Sequence, residues 1–200
     1  MIDFRKKNIL FNKLEREFIN YNIDENNLDL ILLDLNIDKT NFYSLFPKKI
    51  EDLCYFYFFR AYHMSYKEVK KKILSEKSIS IKTSLLLSVF IEIFGSKKRV
   101  SIFFLTYALL NPLLLSRIIY KISSRIWYDV GDKSIDFNYY SKRFILMNII
   151  RNCLFYWRKT LDVDKTLNFA NRQVTFFGKL GKRKFNAKKY ISEKLNLNSI

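Results

Sequence analysis

Histidine is almost missing from this chain: His63 is the only one in 200 residues, beside two cysteines, Cys54 and Cys153. With no second histidine and no paired cysteine spacing, a zinc or iron site has no sequence support. The two thiols read as reduced and buried. His63, in an aromatic helical run, reads as packed or half-exposed. Only four glycines and two prolines are present, so tight turns are scarce and helices joined by short polar loops are expected. Also missing are a G-x-G-x-x-G turn, a Walker loop, an H-E-x-x-H pair and a nucleophile elbow. The carboxylate pairs Asp132/Asp136 and Asp162/Asp164 fall at expected helix starts, where capping explains them better than acid–base work. The chain is therefore expected to hold no catalytic residue, no metal and no cofactor.

Acidic residues are short as well: 19 against 36 Lys and Arg, a formal net charge of +17 and a pI near 9.8. Two partners suit such a charge, nucleic acid or the anionic surface of a membrane. A richness in Lys, Asn, Ile and Phe of the kind an AT-rich genome encodes can account for part of it. A signal peptide is not expected, because Arg5, Lys6 and Lys7 are followed by charged residues and not by a long apolar run. The early acid Asp3 also speaks against a transit peptide. The longest uncharged run, Val100 to Ser116, would reach roughly 25 Å as a helix, short of a ~30 Å hydrocarbon core. It reads as a buried helix broken before Pro112.

What the chain does have is apolar mass, 49% hydrophobic and 17% aromatic residues, enough for one domain with at most a small appendage. Helical periodicity predicts helices over 8–21, 25–35, a short one from Asp38 or Thr40 to Phe46, and a long one from Lys48 to about Leu74. After a polar loop at 75–80 come 81–94, closed by Gly95 to Arg99, then 100–110, 112–128, 136–160 and 163–180. Strands are not predicted, so the fold class is all-α. Apolar helix beyond residue 80 exceeds what a thin bundle needs, which leaves room for an apolar pocket. Its candidate lining is Phe90, Phe94, Leu105, Leu109, Leu114, Ile118, Leu146, Ile150, Leu154 and Trp157.

The stretch Trp127 to Arg143 organises the second half. Gly131 reads as a left-handed helix stop, with Asp132 or Ser134 free to cap the next helix and Asp136 in its first turn. Asp136, Tyr139, Tyr140 and Arg143 are spaced on one helical face, and two phenols beside cations can make a partner surface. After Gly178, Lys182, Arg183, Lys184, Phe185, Lys188, Lys189, Tyr190 and Ile191 form a basic amphipathic segment. It is suited to an anionic membrane, or is simply a solvated tail.

These motifs resemble the ubiquinone-biosynthesis accessory family, lipid-binding proteins with a TetR-like fold. The shared pattern is Trp127, Gly131, Asp132, Ser134, Asp136, Phe137, Asn138, Tyr140, Lys142 and Arg143, then Leu146, Leu154 and Trp157, then Thr166, Phe169 and Arg172. Tyr139 departs from it, standing where the family has Trp. Residues 35–53 are similar to a TetR helix-turn-helix, with Tyr43, Phe46 and Leu53 at anchor positions. Leu32 replaces the usual small Ala and Asn36 the turn Gly, a substitution Asn tolerates.

The resemblance implies a relic helix-turn-helix domain over 1–47, a helical lipid-binding domain over 48–181 and a basic tail over 182–200. It also implies a homodimer through 136–160 and 163–180, and a bound lipid or isoprenoid quinone precursor. The face of Asp136, Tyr139, Tyr140 and Arg143 would dock the demethoxyubiquinone hydroxylase, and the tail would contact membrane lipids. The expected location is the inner face of a bacterial cytoplasmic membrane, without nucleic acid as partner. The competing expectation is a TetR-type transcriptional regulator with a hydrophobic effector. Against it, the turn-helix region is only mildly basic, and Asn41 is its sole base-reading side chain.

Overall fold

The computed structural model describes residues 2–20, 23–24 and 26–177. Among them all regular structure is helical: α1 (Ile2–Leu14), α2 (Glu17–Asn20), α3 (Leu28–Asp34), α4 (Lys39–Leu45), α5 (Lys49–Ser75), α6 (Ile79–Ser96), α7 (Lys98–Leu110), α8 (Pro112–Asp129) and α9 (Asp136–Thr160). A further helix, α10, covers 163–177. The fold is all-α, as the periodicity predicts.

The axis of the molecule is α5. It packs most extensively on α6 and also against α7 and α8, while α9 lies along α8. Its side chains Leu53, Cys54, Phe58 and Ile73 are buried. An aromatic network ties the N-terminal helices to this frame. Phe11 stands 5.8 Å from Tyr57 and 5.7 Å from Phe104, and Phe18 stands 4.7 Å from Phe104. Residues before Pro47 therefore share one hydrophobic core with the rest of the described chain.

The single helix expected over 8–21 is two helices that start six residues earlier. Phe4 packs 5.4 Å from Phe56 and 4.6 Å from His63, and this tertiary contact outweighs the polar look of the segment. At the break, Glu15 pairs with Arg60 at 3.4 Å and Lys97 at 2.5 Å.

The α3–α4 turn follows the sequence closely. Asn36 takes a left-handed conformation, φ 51°. The Asn36 N–H reaches the Leu33 carbonyl, and the Ile37 N–H the Leu32 carbonyl, the paired bonds of a Schellman stop. Asp38 then caps α4 by accepting from the N–H groups of Thr40 and Asn41. Leu32, bulky where Ala was expected, is fully buried.

Gly95 does not end a helix, as the sequence suggested; it lies within α6. A Cβ there would stand 2.6 Å from Val163 Cγ2 and 2.9 Å from Trp157 Nε1. Glycine lets α6 approach the α9–α10 corner, where Trp157 meets Phe94 edge-on at 5.3 Å. The uncharged run after residue 100 is two helices meeting at 116° around Asn111–Pro112. Of single helices among the described residues, only α6 has the length and hydropathy of a membrane span.

Candidate functional site

Most of the bonds that make the 127–143 segment stiff are local to it. α8 stops at Gly131, φ 81°. The Gly131 N–H donates to the Tyr128 carbonyl and the Asp132 N–H to the Trp127 carbonyl, a second Schellman stop. The expected capping role for Asp132 or Ser134 is not what these residues do. The N-cap of α9 is Ile135, without a side-chain cap. Asp132 accepts instead from the Ser134 hydroxyl and, at 2.6 Å, from Lys142 Nζ. Its side chain is 2% exposed. Burial pushes the carboxyl pKa up, but the Lys142 and Ser134 bonds outweigh that and hold it below the usual carboxylate value. Lys142 also lies over the Trp127 ring at 5.4 Å, and Trp127 Nε1 donates to the Lys142 carbonyl at 3.1 Å. Trp127, Gly131, Asp132, Ser134 and Lys142 thus form one clasp between α8 and α9. Below it, Asp129 accepts from the Tyr62 hydroxyl and from Arg125, which anchors α8 to α5.

The four residues proposed for a partner face are divided by the structure. Tyr140 is 69% exposed, and Tyr139 is half-buried at 5.2 Å from it. Arg143 is 7% exposed, which corrects its reading as a surface hot spot. Its guanidinium carbon lies over the Tyr139 ring, 3.2 Å from the centroid, and one N–H donates to the Tyr139 carbonyl, while its Nε has no partner among the described residues. Arg143 therefore supports Tyr139 from beneath. The Asp136 side chain lies outside the described residues. The exposed apolar neighbours are Tyr128, Ile135 and Phe144. Phe144, 67% exposed, points out. Its spacing of four from Tyr140 was the available signal.

The ten residues proposed to line a lipid pocket belong to the packed core. Nine are buried, and Leu109 is partly buried against them. Open depressions lie elsewhere. One of about 220 Å³ between α8 and α9 is lined by Leu115, Ile119, Phe144 and Met147 among others. A larger one, about 550 Å³, lies between α2 and α7. The eight residues proposed for membrane contact, from Lys182 to Ile191, lie outside the described residues. Cys54 and Cys153 are buried free thiols, the second pushed up to about 12 by burial. His63 is exposed. Among the described residues no cluster of His, Cys, Asp and Glu is placed to hold a metal ion.

Past α9, Leu161 turns left-handed at φ 51°, and Asp162 caps α10 by accepting from the Lys165 N–H. Thr166 is buried and donates to the Asp162 carbonyl; Phe169 stacks on Tyr156 at 4.6 Å. The second half of the sequence pattern is thus a helix corner.

No curated protein and no solved structure matches the chain. A family model does, over the segment that holds the clasp, α9 and the corner. Residues 114–181, about a third of the chain, match the model of the COQ9 family, so this segment is similar to that family.

Proposed function

We propose that this chain is a non-catalytic, lipid-binding accessory protein that binds an isoprenoid quinone precursor and presents it to the demethoxyubiquinone hydroxylase. The observation that carries the reading is the pair of exposed aromatics Tyr140 and Phe144, with half-buried Tyr139 beside them, on a stiff clasp within the family-matched segment. Contiguous exposed aromatics mark interaction surfaces, and rigid rings lose little entropy on docking. The α8–α9 depression shares Phe144 with this face, so a lipid head seated there would lie against the docked enzyme. The tail from Lys182 to Ile191 serves as the membrane contact at the inner face of the cytoplasmic membrane. The far ends, where Phe155 and Phe176 are exposed, serve a homodimer.

The test is a pull-down of the hydroxylase by Tyr140→Ala and Phe144→Ala variants, run beside a thermal melt. Each substitution is expected to weaken capture by ~1–3 kcal/mol and to leave the melting temperature unchanged, because both side chains are mostly solvated. Undiminished capture by both variants would overturn the docking assignment. Native mass spectrometry of protein purified from cells tests the lipid: an isoprenoid should accompany it, and repeated recovery of bare protein counts against that half.

A further inference from the structure

Helix α7 is apolar on two sides, and its second side is only partly covered: Phe103 packs 5.1 Å from Phe18, while Ile102, Phe103 and Tyr107 stay partly exposed. Val100, Ser101, Phe104, Leu105 and Ala108 face the core. Arg99, Ile102, Phe103, Thr106, Tyr107 and Leu110 recur at the helical spacings of three and four, so they share the opposite face. All six line the larger groove, with Phe18, Ile23 and Ile50. Those three are 4%, 4% and 2% exposed, which makes them the floor; Leu110, at 77%, is a rim. The volume of about 550 Å³ falls in the range of small-molecule sites, ~300–1,000 Å³. From Arg99 to Leu110 the face runs ~16 Å along the helix, the proportions of a furrow.

One end of the furrow is cationic. Arg99 also lines an adjoining depression with Arg16, Lys97, Lys98, Val100 and Glu15. Glu15 is already engaged by Arg60 and Lys97. Among the described residues that line the furrow the one carboxylate is Asp24, which accepts from the N–H groups of Asn26 and Asn27. Arg16, Lys98 and Arg99 thus have no ion pair among the described residues, and three positive charges gather at the mouth of an apolar channel. All three are exposed and solvated, so a neutral lipid would gain nothing from them, whereas an anionic head would gain a charge-assisted contact. A protein helix seated there would need its own acids at that one end. We propose that this furrow binds a single-chain amphiphile with an anionic head, a fatty carboxylate being the simplest. The head would lie against Arg99 and Lys98, and the chain along Ile102, Phe103, Thr106 and Leu110.

The furrow shares no residue with the α8–α9 face, so the two assignments stand or fall separately. The full-length protein would be titrated with the fluorescent acid cis-parinarate, then with dodecanoate and dodecanol as competitors. Dodecanoate is expected to displace the probe at least about tenfold better than dodecanol, the contribution of a charge-assisted contact, and the advantage should shrink with added salt. Arg99→Ala should abolish the difference. Thr106→Trp, which fills the furrow, should abolish probe binding, with the thermal melt and hydroxylase capture unchanged in both variants. Equal displacement by acid and alcohol overturns the proposal, as does full binding by Thr106→Trp. Phosphatidylglycerol vesicles supply the same charge from a bilayer. Arg99-dependent vesicle binding without free-acid binding would show a membrane contact instead. Self-association lost in Thr106→Trp without acid binding would show an interface between copies. Either result overturns the ligand.

Discussion

Replacing Lys142 with Met should destabilise the protein in a way that depends on pH. The carboxylate of Asp132 is 2% exposed and has two donors, Lys142 at 2.6 Å and the Ser134 hydroxyl. Breaking a buried ion pair by removing one partner costs ~3–5 kcal/mol. Lys142 is 38% exposed, so part of its attraction is already screened by water, and ~2–3 kcal/mol is the reasonable expectation. For a chain of this length that is a fall of roughly 4–12 °C in melting temperature at pH 7.

The sign with pH follows from the carboxyl. In the wild type its folded pKa lies below the unfolded value, ~3.9, so it contributes stability above that value and loses it as pH falls through the folded pKa. Without Lys142 the burial cost prevails and the folded pKa rises above ~3.9. The variant is then penalised at neutral pH and relieved as the carboxyl takes up a proton. The gap between variant and wild type should therefore narrow from pH 7 toward pH 4.5. A melting series at fixed ionic strength measures it. A gap of equal size at both pH values would refute the assignment of Asp132 as the clasp's charge, and leave only lost packing of the lysine stem on Trp127.

Two glycines give predictions of different kinds. Gly131→Ala meets no atom within 4 Å but must hold φ at +81°, so it should cost ~1–2 kcal/mol by thermal or urea unfolding. Gly95→Ala has an ordinary backbone but drives its Cβ into Val163 and Trp157. It should cost ~1–3 kcal/mol, and Val163→Ala in the same chain should recover part of that loss in the same melt.

The elements that could be read from the sequence are those whose cause is local. The bounds of α9, Asp136–Thr160, follow from a new start after Gly131 and from the polar break at Leu161–Asp162. The left-handed Asn36 follows from its place between two helices. The clasp was not legible in detail. Trp127 and Lys142 are fifteen residues apart, and nothing in the chain says that the lysine's carbonyl receives the indole N–H while its ammonium lies over the same ring. The burial of Arg143 was hidden for a related reason. Its cover is Tyr139, four residues back, and the spacing that suggests a shared surface equally permits a stack. α9 carries apolar side chains around much of its circumference, so its inward phase could not be fixed from the sequence. The apolar second face of α7 was hidden in the same manner, as part of one long hydrophobic run.

The aromatic seam between α1–α2 and α7 bears on how the chain is made. Phe11 and Phe18 complete their packing on Phe104, about ninety residues downstream. At a synthesis rate of 5–20 residues per second, those rings wait on the order of 5–20 s for their partner to be polymerised. Residues 1–16 carry Arg5, Lys6, Lys7, Lys13 and Arg16 against Asp3 and Glu15, a clear positive excess. Flanking charge of one sign keeps an exposed apolar stretch from associating with its neighbours. Part of the chain's positive excess thus lies beside the apolar stretch whose partners are made latest.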